Sequence, residues 1–263
     1  MHATMISRNY ISVKTIVVVA TLIGVSLAFA AEASPPKQKD DQKVAVELYY
    51  ESQCPGCREM ITTSFKEAFE TDGFLDMATV EFVPYGNAKE TKTASGTYDF
   101  ECQHGPSECI YNTIEVCALA KIEDPTKAFR YIDCIEHSDE SRDPKQDYFK
   151  IAMTCCLMTK LSKSTISQME ECATGLEGIE LEHKAAVKTG ALDPPHQFVP
   201  YVVVNGEHSD DVQDAISESL FDYVCGVYQG PNKSKACKEK TNMLRSPKYI
   251  YDSLVKLHLQ DWR

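Results

Sequence analysis

The sequence predicts an α/β domain with a large helical insertion, and three observations support this class. A strand pattern runs directly into a Cys-x-x-Cys motif that opens a helix. After a second strand, residues from about 98 to 190 show helical periodicity and many cysteines. A final strand and helix follow Val199-Pro200. With 263 residues, of which 43% are apolar, the chain is long enough to bury one core of this kind.

Composition excludes several classes of protein. The apolar fraction is too high for a disordered or fibrous chain. Acidic residues outnumber basic ones 39 to 27, and this excess would repel a phosphate backbone, so we expect no nucleic-acid partner. Eleven cysteines are many for an enzyme of the reducing cytosol. We therefore expect an oxidising compartment in which most cysteines form disulfides.

Residues 1–30 have the pattern of a secretory signal peptide. Basic residues precede an apolar run that ends with small residues at Ala28 and Ala30, an A-x-A cleavage pattern. A signal anchor is the alternative, but the run of about 16 residues is short for a membrane span. No later stretch is apolar enough to cross a bilayer, so we expect the mature chain to have no membrane span. Residues 31–43 are polar and contain proline, which predicts a flexible leader.

The first predicted elements surround the Cys-x-x-Cys motif. Val44 to Tyr50 alternate with period two, which predicts a strand that ends just before Cys54. Apolar residues then recur at three- and four-residue spacing and predict a helix. Ala78 to Pro84 form the second predicted strand. The motif therefore lies where a strand turns into a helix.

The later elements complete the α/β domain, which we place at 44–225. No strand signal interrupts the insertion, and its predicted helices are 107–122, 125–137, 144–160, 164–173 and 176–188. A strand begins at Tyr201, Asn205-Gly206 predicts a tight turn, and Ser209 is the expected N-cap of a helix that reaches Tyr223.

The remaining residues, 226–263, form a basic tail. It holds eight basic and three acidic residues, in contrast with the acidic body of the protein. Ser246-Pro247 would suit the start of a short helix. The tail could fold against the body, be removed by proteolysis, or remain a solvated extension.

The Cys54-Pro55-Gly56-Cys57 motif is the candidate catalytic centre. A sulfur at a helix N-terminus is stabilised as a thiolate by unpaired amides and by the helix dipole, so we expect Cys54 to be the nucleophile and Cys57 the resolving cysteine. Arg58 would favour the thiolate, whereas Glu51 and Glu59 would oppose it. A structural disulfide is one alternative. A zinc site is another, with Cys102-Gln103-His104 as the other half, but no second C-x-x-C is present.

Val199-Pro200 is the candidate substrate-binding element. In thioredoxin-like folds a cis-proline begins a strand beside the active cysteines, and the preceding backbone can pair with a bound chain. The order of strand, C-x-x-C, helix, strand, insertion, Val-Pro, strand and helix matches that fold. We therefore predict a thioredoxin-like core.

A longer motif makes the similarity more specific. Residues 102–117 read CQHGPSECIYNTIEVC and fit C-Q-H-G-x-x-E-C-x-x-N-x-x-E-x-C at every fixed position. M-E-x-C-A at 169–173 and the final cysteines extend the similarity over about 44–237. The sequence resembles the gamma-interferon-inducible lysosomal thiol reductase family. For the motif itself we favour a packing role for Gln103, His104 and Gly105 over a role in the substrate cleft, and assign no chemistry to Glu108 or Glu115.

The resemblance implies reduction of disulfide-bonded proteins in acidic endosomes and lysosomes, with the two cysteines as the only redox group and no cofactor. We expect a small thiol to supply the electrons. The family also implies glycosylation, and Asn232-Lys233-Ser234 is the one sequon after the signal peptide. Two rivals remain: a secreted disulfide oxidase or isomerase, and a secreted thioredoxin-like binding protein without activity.

The other nine cysteines have a structural role. We expect disulfides among Cys102, Cys109, Cys117, Cys134, Cys155, Cys172, Cys225 and Cys237. Cys225 and Cys237 close a short loop and are the pair predicted first. Cys109 and Cys117 lie about 12 Å apart along one predicted helix, so each needs a different partner.

An odd number of cysteines leaves at least one without a partner in the chain. Adjacent Cys155 and Cys156 would form a strained bridge, so one of them is the expected unpaired residue. The other could pair with Cys172 across a two-helix hairpin.

Overall fold

The computed structural model describes residues 43–138 and 147–238, all within the unit that spans Gln38–Arg263. The predicted signal peptide at 1–30, most of the predicted leader and Ser246-Pro247 lie outside the described residues. Among the described residues, no helix is long and apolar enough to cross a membrane.

A three-stranded sheet lies at the centre of the fold. It contains β1 (Val44–Tyr50), β2 (Ala78–Pro84) and β5 (Tyr201–Val204) in the order β2-β1-β5. β1 pairs parallel to β2 and antiparallel to β5, with Leu48 opposite both Phe82 and Val202. All three strands were predicted, with the same bounds for the first two.

The central strand β1 is buried on both faces because helices cover both sides of the sheet. One face, which includes Leu48 and Tyr50, packs in the larger core with Phe65 and Phe82. The other face presents Tyr49 to a smaller cluster that contains residues of the helical insertion. The C-terminal end of β1 is thereby fixed from both sides.

The helix after the motif is continuous but changes pitch. It comprises α1 (Pro55–Met60), a π-helical stretch (Ile61–Phe65) and α2 (Lys66–Glu70), and a short α3 (Phe74–Met77) follows. Its buried face packs against the last helix, α9 (Asp210–Val227).

Helix α9 contains a kink with an identifiable cause. Ser219 has a non-helical backbone conformation, and the hydroxyl of Ser64 lies between the two ends of a helical hydrogen bond. It donates to the carbonyl of Ile216 and accepts from the amide of Leu220 at 2.8 Å. A side chain inserted in the ladder bends a helix in this way. The kink locks α9 to the π-helical stretch that follows the motif.

The insertion begins with two strands that the sequence analysis missed. β3 (Lys89–Lys92) and β4 (Tyr98–Glu101) form an antiparallel hairpin, so the prediction that no strand interrupts the insertion was wrong. The segments KETK and YDFE are largely exposed and carry charges at many positions, so they lack the apolar alternation that marks a half-buried strand.

Five helices make up the rest of the insertion. They are α4 (Pro106–Lys121), α5 (Pro125–His137), α6 (Tyr148–Met158), α7 (Lys163–Thr174) and α8 (Leu176–Gly190). All five were predicted. The described part of α6 starts after its N-cap Asp147, whose carboxylate accepts from the amide of Lys150. Asp124 and Ser162 cap α5 and α7 in the same way.

Four disulfides join these elements. They are Cys102–Cys109, Cys117–Cys172, Cys134–Cys155 and Cys225–Cys237. The structure thus gives Cys109 and Cys117 separate partners and joins the two cysteines that close the short C-terminal loop.

The suggested pairing of Cys172 with Cys155 or Cys156 was wrong. Cys172 bonds to Cys117 because α4 and α7 are neighbours, and Cys155 bonds to Cys134 of α5. Cys156 is a free, buried thiol. Adjacent residues of a helix point in different directions, so Cys155 reaches α5 while Cys156 faces the core.

Candidate active site

Cys54 and Cys57 lie where β1 turns into α1. Cys54 is the N-cap residue of α1, and its sulfur accepts a hydrogen bond from the amide of Cys57 at 3.4 Å. Pro55 occupies the first helical turn, where no amide donor is needed. Cys54 is 7% exposed and Cys57 is fully buried, so Cys54 is the sulfur that a substrate can reach.

The two thiols have opposite electrostatic environments. Hydrogen bonding from the Cys57 side chain is the main cause that lowers the pKa of Cys54 to about 6, against the opposing effect of burial. The amides of Cys57 and Gly56 and the charge of His104 lower it further. Burial raises the pKa of Cys57 far above its ordinary value. Cys54 is therefore the thiolate of the pair and Cys57 the protonated thiol.

Val199 and Pro200 lie directly beside Cys54. Their peptide bond is cis, and the carbonyl oxygen of Val199 is 3.8 Å from the Cys54 sulfur. A Cβ atom at Gly56 would lie 3.4 Å from the ring of Pro200, so the two segments are in close contact. The residues that the sequence singled out at positions 54–57 and 199–200 therefore form one site.

The side chain of Gln213 holds the strand that follows Pro200. Its Nε2 donates to the carbonyl of Pro200 at 3.1 Å, and its Oε1 accepts from the amide of Val202 at 2.9 Å. His208 contacts the carbonyl of Val202 at 2.7 Å. Sequence reasoning missed Gln213 because a glutamine in a helix is ordinarily a solvated residue. Its position four residues after the N-cap Ser209 gave no signal of this role.

The loop between β1 and Cys54 is held by helix α4. The amide of Ser52 donates to Asn112 Oδ1 at 3.1 Å, and the hydroxyl of Ser52 donates to the carbonyl of Glu108 at 3.2 Å. Both helix residues are fully buried. The long motif at 102–117 therefore supports the loop that carries Cys54.

His104, Glu51 and Glu108 form a cluster against this loop. His104 Nδ1 lies 2.5 Å from Glu108 Oε2 and 3.3 Å from Glu51 Oε2. The side chains of both glutamates are fully buried, and burial raises the pKa of Glu51 to about 7. His104 is thus held by both glutamates, and its charge helps to lower the pKa of Cys54.

This cluster is also the candidate metal-ligand group of the described residues, since its ligand atoms lie within 4.8 Å of one another. Ligands of one tetrahedral zinc ion at about 2.0–2.2 Å would lie roughly 3.3 Å apart, whereas a separation of 2.5 Å is that of a hydrogen bond. Cys102, the other half of the zinc alternative, is bonded to Cys109. We therefore interpret the cluster as a hydrogen-bonded ion pair.

Arg58 is buried and binds the loop that precedes Cys54. Its guanidinium donates to the carbonyls of Ser52 at 3.2 Å and Ser138 at 2.8 Å and lies 3.9 Å from Glu136. Among the main electrostatic influences on Cys54, the nearby cation is His104 rather than Arg58. The expectation that Arg58 favours the thiolate stays a prediction.

A second group of buried carboxyls lies behind Cys57. The hydroxyl of Tyr50 donates to Glu115 Oε2 at 2.5 Å. Burial raises the pKa of Glu115 to about 7 and that of Glu136 well above its ordinary value. Neutral carboxyls are therefore expected in the core at acidic pH. The sequence analysis assigned no chemistry to Glu115 and did not single out Glu136.

The remaining sequence-predicted site residues lie outside this centre. Asn232 is exposed in a turn after α9, and its amide donates to the hydroxyl of Tyr228 at 3.2 Å. Gln103 accepts from the side chain of Asn87 at 2.8 Å at the edge of the site.

Comparison with known proteins agrees with this geometry. The family profile described as "Gamma interferon inducible lysosomal thiol reductase" matches residues 45–159. The protein "Gamma-interferon-inducible lysosomal thiol reductase" of Carassius auratus is 43% identical over 203 residues, which cover 76% of this chain and 75% of that protein. The chain belongs to the gamma-interferon-inducible lysosomal thiol reductase family.

The Mus musculus protein of the same name is 37% identical over 195 residues, or 74% of this chain and 71% of that protein. Among solved structures, oxidised BdbD from Bacillus subtilis aligns with a TM-score of 0.48 and 15% identity, over 68% of this chain and 89% of BdbD. As a member of the gamma-interferon-inducible lysosomal thiol reductase family, the chain is a thiol-disulfide oxidoreductase. The structure contains the predicted order of strand, C-x-x-C, helix, strand, insertion, Val-Pro, strand and helix.

Proposed function

We propose that this protein reduces disulfide bonds of protein substrates in acidic endosomes and lysosomes, with Cys54 as nucleophile and Cys57 as resolving cysteine. The observation that carries the proposal is the position of the Cys54 sulfur. It caps α1, accepts the Cys57 amide and lies beside the Val199 carbonyl. A substrate chain that reaches Cys54 can therefore pair with the backbone before Pro200.

The reaction proceeds in two exchanges. The Cys54 thiolate attacks one sulfur of the substrate disulfide, a mixed disulfide forms, and the released substrate thiolate takes up a proton. Cys57 then loses its proton and attacks the Cys54 sulfur, which releases the second substrate thiol and leaves a Cys54–Cys57 disulfide. Two molecules of a small thiol then break the Cys54–Cys57 disulfide by two further exchanges, which restores the dithiol and leaves the small thiols joined as their own disulfide. The two cysteines are thus the only redox groups that the cycle needs.

The pKa of Cys54 makes this chemistry possible at low pH. At pH 5 a thiol of ordinary pKa, about 8.5, is only about 0.03% thiolate, whereas one of pKa about 6 is about 10% thiolate. The gain in nucleophile concentration is therefore about 300-fold. We infer an acidic compartment from this environment together with the relatives' names. Asn232, which is exposed, is the proposed site of N-glycosylation during delivery.

The test is reduction of a denatured, disulfide-bonded protein by the chain without its signal peptide, with a small thiol as donor, at pH 4.5 and 7.5. We expect activity at pH 4.5 that is lost in Cys54→Ser. Cys57→Ser should accumulate a mixed disulfide with the substrate, because the resolving attack is missing. Activity at neutral pH alone would contradict the acidic setting, and turnover by Cys54→Ser would contradict the mechanism.

Two further measurements separate the rivals. A reductase should have a redox potential more negative than roughly −200 mV, whereas an oxidase or isomerase should lie above that value. A binding protein without activity would retain its function when Cys54 and Cys57 are both replaced.

A further inference from the structure

A groove of about 650 Å³ lies between α1 and α9, next to the nucleophile. We call it the α1–α9 groove. Its lining includes Gly56 and Met60 of the motif helix, and Phe198 and Pro200 of the segment before β5. Phe198 is 42% exposed, although large aromatic side chains are ordinarily buried. The groove therefore offers an apolar floor to solvent.

Carboxylates form the rim of the same groove. Glu59 of α1 and Asp210 and Asp214 of α9 line it, and all three are exposed. No Lys, Arg or His is among the described residues that line it. The rim therefore carries three carboxylates. His208, which is not part of the lining, has its Nε2 3.9 Å from Asp210.

The groove continues directly from the reacting sulfur. Gly56 is two residues from Cys54, and Pro200 follows Val199, whose carbonyl lies 3.8 Å from the Cys54 sulfur. In the mixed disulfide the substrate backbone is tethered at Cys54. An extended chain that pairs with Val199 then passes over Pro200 into the groove within a few residues, at about 3.3 Å per residue.

We propose that the α1–α9 groove binds the substrate segment next to the attacked cysteine and selects segments that combine an apolar side chain with Lys or Arg. This inference rests on the proposed function and specifies its substrate class. The apolar side chain packs on Phe198 and Met60, and the cation meets Glu59, Asp210 or Asp214. Acidic segments are disfavoured because like charges face each other across the rim.

The expected effect is moderate because the rim is exposed. An exposed ion pair changes an equilibrium by roughly 1.5- to 5-fold, so three carboxylates should favour a cationic segment by about tenfold over a neutral one. Salt should weaken this preference, because ions screen exposed charges.

The test uses three disulfide-bonded peptides that differ only beside the cysteine, with Leu-Lys-Lys, Leu-Ser-Ser or Leu-Glu-Glu. The variant is Glu59→Gln with Asp210→Asn and Asp214→Asn. The matched control is Asp211→Asn with Glu218→Gln and Glu180→Gln, three exposed residues outside the groove lining that remove the same total charge. The readout is the ratio of kcat/KM between peptides. Changes in Cys54 reactivity cancel in this ratio because every peptide reacts with the same sulfur.

We expect the unmodified chain and the control to reduce the cationic peptide about tenfold faster than the neutral one, and the groove variant to lose most of this preference. Equal rates for all three peptides, or an equal loss in the control, would overturn the inference while leaving the proposed function intact. If no peptide is reduced, the proposed function fails. The inference about the groove is then tested separately by measuring the affinities of the same peptides, with Ser in place of Cys, by fluorescence anisotropy. Equal affinities for the cationic and neutral peptides would overturn it.

Discussion

We expect the folded protein to be more stable at pH 5 than at pH 7.5, and Glu182 allows this to be tested away from the active site. Its side chain is fully buried in α8, one oxygen accepts from the hydroxyl of Thr113, and Oε1 has no hydrogen-bond partner among the described residues. Burial raises the pKa of Glu182 from 4.5 to about 7. Ionisation of this buried carboxyl therefore lowers the free energy of unfolding.

The sign of the effect follows from linkage. A carboxyl whose pKa is raised on folding lowers the free energy of unfolding when it ionises. This loss is complete at pH values above the pKa of the folded state, and it is absent at pH values below the pKa of the unfolded state. With pKa values of 4.5 and about 7, the cost is about 3 kcal/mol at pH 7.5 and about 1 kcal/mol at pH 5. Glu182 alone should therefore make the protein about 2 kcal/mol more stable at pH 5 than at pH 7.5.

The perturbation is Glu182→Gln, which removes the ionisation and keeps an acceptor for Thr113. The assay is equilibrium urea unfolding at both pH values. A background with Cys54→Ser, Cys57→Ala and Cys156→Ala removes the described free thiols that would otherwise exchange with the disulfides. In the variant, the difference in free energy of unfolding between pH 5 and pH 7.5 should be about 2 kcal/mol smaller than in the background protein. Any cost of the new amide is present at both pH values and cancels.

The control is Glu180→Gln, which lies on the same helix and is exposed. It should leave the pH difference unchanged. If Glu182→Gln keeps the full pH dependence, the carboxyl does not carry the raised pKa and the reasoning is refuted. Glu51 and Glu115 have raised pKa values of about 7 as well, and therefore act in the same direction.

Two other predictions concern the thiols. His104→Gln should raise the pKa of Cys54 above about 6, because the charge of His104 helps to lower it, and the midpoint of iodoacetamide alkylation against pH should move upward. His183→Gln, which removes a histidine paired with Glu90 outside the site, should leave that midpoint unchanged. Cys156, which is buried and has a pKa raised to about 11, should resist alkylation in the folded protein and react once urea unfolds it. Rapid labelling of Cys156 in the folded protein at pH 7.5 would contradict its burial.

The core elements were predictable because their signals are local. Period two in Val44–Tyr50 and helical spacing after Cys57 are patterns within a few neighbouring residues, and both elements occur where expected. The β3–β4 hairpin was missed because its strands are exposed and charged. Its pairing depends on the turn at Thr93–Thr97, which includes a glycine of positive φ. A turn alone is a weak indication of a hairpin when the flanking residues do not alternate between apolar and polar.

Some residues of the site were likewise predictable from the sequence, and others were not. Cys54, Cys57, Val199 and Pro200 were found from the order of elements, and the structure brings them together. Gln213 and Glu136 could not be found, because what distinguishes them is a contact made across more than ten residues of chain or burial among distant helices. The wrong partner for Cys172 has the same origin, since helix packing decides which cysteines meet.

The spacing of the polar residues in the motif at 102–117 has a physical explanation. Glu108, Asn112 and Glu115 are spaced four and three residues apart, which places them on one face of α4. That face meets the end of β1, where Asn112 binds the amide of Ser52, Glu115 binds the hydroxyl of Tyr50, and the carbonyl of Glu108 binds the hydroxyl of Ser52.

Two disulfides fix this helix at both ends. Cys102–Cys109 closes the turn that presents His104, and Cys117–Cys172 ties the far end of α4 to α7. The motif therefore holds the loop before Cys54 in position. It also supplies His104, whose charge helps to lower the pKa of Cys54. Cys54, whose sulfur lies 3.8 Å from the Val199 carbonyl, is thereby held next to Pro200 of the α1–α9 groove.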